Sequence, residues 1–126
     1  MWNEPPREYL ALIPRLYETE DVAVEHKLIY LHFFVAGCDW YISEYDESED
    51  LFWGFVVLNN DYINSEWGYV SFKELREINI NGIEVDCETP WKICKSSEIE
   101  KICLAHGWKG NQRVEVGDRS EGRIVG

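Results

Sequence analysis

Four cysteines and three histidines are the residues of this chain that could hold a metal or attack a substrate. Cys87, Cys94 and Cys103 with His106 are spaced C-x6-C, C-x8-C and C-x2-H. A structural zinc site uses closely spaced pairs, because two ligands on one tight turn pre-organise half of the tetrahedron. Only Cys103 and His106 form such a pair, and both fall on the apolar face of a predicted helix, so buried thiols are the simpler reading. A cysteine nucleophile working with His26, His32 or His106 has no local signature. Cys38 completes the set, and all four thiols are expected to be free and metal-free. Neither a phosphate-cradling glycine loop, a G-x-S-x-G elbow nor an H-E-x-x-H helix occurs.

The second source of chemistry is carboxylate. Glu44 and Asp46 share one face of a predicted strand and run into Glu47, Glu49 and Asp50. Paired carboxylates can bind a divalent cation or divide acid and base roles. The regular D-x-D-x-D-G spacing of a calcium loop is absent, so a solvated strand end and turn accounts for them.

The charge balance frames both readings. The 126 residues carry 12 Lys and Arg against 24 Asp and Glu, a formal charge of −12. From Leu28 to Phe72 there are eight acids and no Lys or Arg. A binder of phosphate backbones needs a basic face, so direct nucleic-acid binding is not expected. The stacking potential of Trp40, Trp53 and Trp67 therefore points to the core. An acidic surface steers basic partners, and it also keeps a small domain soluble.

The elements that must position these groups follow from pattern. A short helix runs through Tyr9, Leu10, Leu12 and Ile13, capped by Asn3, entered through Pro5-Pro6 and ended by Pro14. Strands are expected over Lys27–Val35, over Asp39–Asp46, over Leu51–Leu58 (apolar on both faces, hence central) and over Trp67–Val70. Trp40 and Ile42 should face one way, with Tyr41, Ser43 and Tyr45 the other. Gly37, Glu47–Asp50 and Asn59–Asp61 supply the turns. Ser71-x-x-Glu74 is a capping box for a short helix to about Glu77. Asn81-Gly82 between alternating segments is a hairpin signal, with Ile80 facing Ile83 and Ile78 facing Val85, all four on one face. Ser97-x-x-Glu100 is a second capping box. Its helix sets Ile99, Ile102, Cys103 and His106 along one stripe and ends at Gly107.

These elements make an α+β fold: an antiparallel meander of about five strands with two or three short helices packed on it. Residues 1–108 are expected to form one globular domain and 109–126 a mobile tail. No secretory signal or membrane-length apolar run is read in the sequence, so a cytoplasmic location is expected.

Several segments in order resemble a known family. They are Leu16-Tyr17-Glu18-Thr19-Glu20-Asp21, Phe33-Phe34, Trp40-Tyr41-Ile42-Ser43-Glu44-Tyr45-Asp46, Asp50-Leu51-Phe52-Trp53-Gly54-Phe55 and Glu66-Trp67-Gly68-Tyr69-Val70-Ser71-Phe72-Lys73-Glu74-Leu75. The string resembles the bacterial family named domain of unknown function 2958, over about residues 10 to 100. In the last motif, Ile83-Glu84-Val85-Asp86, Val85 stands where the family has Arg. The matching polar positions are Glu20, Glu44, Asp46, Glu66, Tyr69, Glu84 and Asp86. The resemblance implies an accessory role on plasmids and conjugative elements and no known chemistry.

The expected function is a non-enzymatic interaction or inhibitor module without a cofactor. Its acidic face, Glu44, Asp46, Glu47, Glu49 and Asp50, would meet a basic protein partner, as a nucleic-acid mimic with an antirestriction-like or anti-defence role. The alternatives are an enzyme or divalent-metal site on Glu44, Glu66 and Asp86, and a ligand pocket beside Trp40 and Tyr69.

Overall fold

A computed structural model describes residues 4–108. The first helix, α1, spans Arg7–Leu12 and is opened by Pro6, whose carbonyl accepts the Tyr9 N–H at 3.0 Å. Asn3, the expected cap, lies outside the described residues, as does the expected tail beyond 108. Ile13 is extended before Pro14 and buried, while Leu12 turns outward.

A single 3-10 turn at Val24–His26 leads into β1 (Leu28–Ile29) and β2 (Leu31–Val35), so the expected strand exists with a break at Tyr30. Ala36 and Gly37, with φ of 44° and 87°, turn the chain into β3 (Cys38–Asp46). Positive φ at both central residues matches the right-handed twist of the flanking strands. The pairs Val35–Cys38 and His32–Tyr41 set the register. A turn at Glu47–Asp50 leads into β4 (Leu51–Val57), and β5 follows at Glu66–Ser71.

Ser71 caps helix α2 (Phe72–Glu77) as its sequence predicts, its Oγ accepting the Glu74 N–H at 3.1 Å. The Asn81-Gly82 hairpin also forms: β6 (Asn79–Ile80) pairs with β7 (Ile83–Glu84), with Ile80 opposite Ile83. Burial is graded along it. Val85 at its foot is buried, Ile78 and Ile80 are half-buried, and Ile83 beside the turn is exposed, so the four do not share a covered face. After β8 (Asp86–Cys87) and β9 (Cys94–Lys95), a 3-10 turn at Ser96–Glu98 precedes α3 (Glu100–His106). The expected capping box here is displaced by two residues: Glu98 reaches back to the Lys95 N–H at 2.8 Å, and α3 follows Ile99, which gives it no side-chain cap. Gly107, at φ 74°, ends it.

The main sheet has the order β5-β4-β3-β2-β8 and is antiparallel throughout, a four-strand meander with one strand added beside β2. One face packs Leu31, Phe33, Trp40, Ile42, Phe52, Phe72 and Leu75. The other packs Tyr41, Phe55, Val57 and Ile102 of α3, with Trp67 and Trp91 around them. Because both faces are covered, β4 is apolar on both, as its sequence implied.

A β-bulge changes one expectation. The β3–β4 register shifts between Ile42 and Glu44, leaving Ser43 as the extra residue. An extra residue reverses the alternation. Tyr45 therefore packs with Trp40 and Ile42, against Phe52 at 4.7 Å between ring centroids, instead of with Tyr41. The bulge also explains Gly54. A Cβ there would lie 2.1 Å from the Tyr41 carbonyl oxygen. Around Gly68, by contrast, a Cβ would meet nothing within 4 Å.

Candidate functional site

Beyond the bulge, Glu44 shares a face with Asp46 but is buried, at 4% exposure. Its carboxylate accepts the N–H groups of Tyr17 at 2.8 Å and Thr19 at 3.1 Å, and the Thr19 hydroxyl as well. Lys27, equally buried, donates to the Thr19 carbonyl at 2.5 Å and lies 5.1 Å from the Trp53 ring centroid. The charges are thus enclosed in hydrogen bonds, the condition under which burial is tolerated. This cluster fixes the Tyr17–Thr19 loop, with Tyr17 at φ 70°. The Tyr17 hydroxyl meets the Tyr69 hydroxyl of β5 at 2.6 Å, and that contact raises the Tyr69 pKa above the ordinary phenol value. Glu44 is therefore a structural anchor beneath the surface, not a member of an exposed acidic face.

The other expected face residues divide. Asp46 accepts Ser48 N at 2.9 Å, Ser48 Oγ at 2.7 Å and Glu49 N at 3.2 Å, which builds the turn and holds its own pKa below the usual carboxylate range. Asp50, at φ 57°, accepts the Lys73 N–H at 2.9 Å at the start of α2. Glu47 and Glu49 point outward and are exposed.

The proposed trio Glu44, Glu66 and Asp86 does not converge. Glu66 lies on edge strand β5 and Asp86 on the opposite edge, β8. Four strand steps separate them, about 19 Å at the usual interstrand spacing. Trp40 and Tyr69 do not share a pocket, because Trp40 packs on one face while Tyr69, opposite Trp53, belongs to the other. Glu20 is exposed, and Glu84 is half-buried on β7. Among the described residues no group of three or more His, Cys, Asp and Glu side chains is placed to hold a metal.

The four cysteines are free thiols. Cys103 donates to the Ser97 carbonyl at 3.1 Å, and Cys87 lies in the core of the opposite face. Burial, reinforced by Asp86 and Glu88, pushes the Cys87 thiol up to about 12. His106 donates Nδ1–H to the Ile102 carbonyl at 2.9 Å and accepts Trp67 Nε1–H at 3.2 Å, so its ring nitrogens are both engaged.

A polar network absent from the sequence reading sits at the β2–β3 hairpin. His32 Nε2 lies 2.7 Å from Asp39 Oδ1, and Nδ1 lies 2.7 Å from Glu88 Oε1. Lys101 of α3 reaches Asp39 Oδ2 at 2.6 Å. Both ring nitrogens of His32 are thus held by carboxylates. Tyr41 stacks on that ring at 4.5 Å. Burial alone would raise the Asp39 pKa, but hydrogen bonds from His32 and Lys101 outweigh it and hold the carboxyl below its ordinary value. The network ties β2, β3, α3 and the segment after β8 together, and neither ring nitrogen is left to act as a base. Its signal was in the sequence: a two-residue turn at Ala36-Gly37 places His32 diagonally across from Asp39 on one face.

The third feature is the free edge. Among the described residues no strand pairs with the outer side of β5. Beside it runs a groove of about 330 Å³ lined by Val56, Leu58, Asp61, Glu66, Gly68 and Tyr69, with Asn64. No Lys or Arg lines it.

No family model, curated protein or solved structure matches this chain. No helix among the described residues is long and apolar enough to cross a membrane.

Proposed function

We propose that this chain is a non-enzymatic interaction module that offers an acidic surface to a basic protein partner. One observation carries the reading. Residues 4–108 hold 21 Asp and Glu against 8 Lys and Arg, a formal −13, and of those acids only Asp39 and Glu44 are buried. Of the eight bases Lys27 is buried, Lys101 is held by Asp39 and Arg76 pairs with Glu4 at 3.4 Å, which leaves five exposed bases against 19 acids outside the core. Glu47 and Glu49 stand out on a turn whose shape is set by Asp46 and Asp50, so their charge is presented on a fixed support. Such a surface repels nucleic acid and steers cations toward it. The finer setting is that of an accessory protein of a bacterial mobile element, working in the cytoplasm and mimicking nucleic acid to inhibit a basic protein. It rests on the order of motifs quoted above.

The test is capture from a bacterial lysate at about 0.1 M and about 1 M salt, where the Debye length falls from about 10 Å to about 3 Å. A basic protein retained only at low salt is expected. Retention of nucleic acid in its place overturns the reading.

A further inference from the structure

The acidic surface has one place where backbone as well as charge can be recognised, and it lies on the long edge of the sheet. β5 spans six residues, Glu66–Ser71, about 20 Å of strand. Its inner side pairs with β4 from Val56–Glu66 to Leu51–Ser71. Alternate N–H and C=O groups of an antiparallel edge strand point away from its partner, ready to pair with another chain. Natural sheets block such edges with Lys, Pro or a bulge. β5 contains no Lys or Pro, and its register with β4 runs without a shift. The opposite edge, β8, is two residues long and offers far less.

Side chains beside β5 add a preference. At Gly68 the surface lacks a side chain, and the space above it is open. The groove there has apolar walls in Val56 and Leu58 and acidic groups in Asp61 and Glu66. Tyr69, next along the strand and 53% exposed, turns its side chain to the opposite face, where the Tyr17 hydroxyl braces it on the loop fixed by Glu44. At the Ser71 end the neighbouring helix mixes exposed Lys73 and Arg76 with Glu74 and Glu77, whereas at the Glu66 end the groove is lined by acids and no base.

We infer that β5 is a docking edge for an extended, basic segment of a partner protein, which adds a strand to the sheet. A Lys or Arg of that segment meets Asp61 and Glu66, and an apolar side chain fills the space over Gly68. Main-chain hydrogen bonds supply affinity, and alternate side-chain pockets supply specificity, as in other strand-addition complexes. The inference rests on the acidic-surface reading and names where and how that surface is used.

The probe is a short alternating Lys–Val peptide long enough to span β5, compared with its Glu–Val counterpart and with a version N-methylated at alternate residues. Binding and amide hydrogen exchange are followed on the full chain and on Gly68→Val, which leaves the core untouched. The Lys–Val peptide is expected to bind and to protect β5 amides. N-methylation should weaken it about tenfold or more, because each methyl removes a main-chain donor. Gly68→Val should weaken it comparably. Salt-sensitive binding that ignores both N-methylation and Gly68→Val overturns the docking edge and leaves the acidic-surface reading standing. Absence of any binding by the Lys–Val peptide at low salt overturns both.

Discussion

Glu44 reaches Tyr69 through a single residue. Its buried carboxylate holds the Tyr17 N–H at 2.8 Å, and the Tyr17 hydroxyl holds that of Tyr69 at 2.6 Å. A buried side chain thereby sets the posture of an exposed one on the edge strand β5.

Glu44→Ala removes the acceptor for two backbone N–H groups and a hydroxyl. A loss of about 3 kcal/mol is expected, the usual cost of breaking a buried charged network. It should appear as a lower urea midpoint with an unchanged slope. In the variant, Tyr69 should also lose its Tyr17 contact, read as a return of its phenol titration toward the ordinary value.

Gly54→Ala and Gly68→Ala should differ sharply. The first drives a Cβ to 2.1 Å from the Tyr41 oxygen and should cost about 3 kcal/mol, at the upper end for overpacking. The second places a methyl in open space and should be neutral or stabilising by up to about 1 kcal/mol. Thermal midpoints of the two variants check the contrast.

Asp39→Asn probes the hairpin network. Its carboxyl titrates below its ordinary value in the folded chain, so it contributes stability that is full above the unfolded pKa of about 3.9. That contribution fades as pH falls through the lower folded pKa. Against the wild type the variant should lose about 2 kcal/mol at pH 7, in the range for bonds to charged groups. The gap should close in acid. Denaturant titrations at pH 7 and pH 3 measure it.

The thiols should be inert until the chain unfolds. Cys87 is raised to about 12 and Cys94 to about 11, chiefly by burial, so neither supplies thiolate at neutral pH. Alkylation at pH 7.5 should be slow in the native protein and complete in denaturant. Rapid native labelling of Cys87 would contradict its placement.

Local signals carried most of the fold. Ser71-x-x-Glu74 and Asn81-Gly82 specify their own geometry within four residues, and helix and hairpin form where they say. Alternation failed at Tyr45 because a one-residue bulge at Ser43 reverses the face, and a bulge has no periodic signature. The candidate site was less legible. Exposed Glu47 and buried Glu44 look alike in a run of acids. They differ only because the Tyr17–Thr19 loop, 25 or more residues away, closes over one of them. Asp39 belongs to the same run yet pairs with Lys101, a partner brought in by tertiary packing of α3.

The most direct measurement is the association rate of the captured partner with the wild-type chain and with Glu47→Lys/Glu49→Lys, from about 0.05 M to about 1 M salt. Both substitutions lie on an exposed turn, so folding should be intact. The account predicts a rate that falls steeply with salt, starts lower in the variant, and converges with it at high salt, while dissociation changes little. A rate that is flat with salt and equal in both proteins would mean that the acidic surface only keeps the chain soluble.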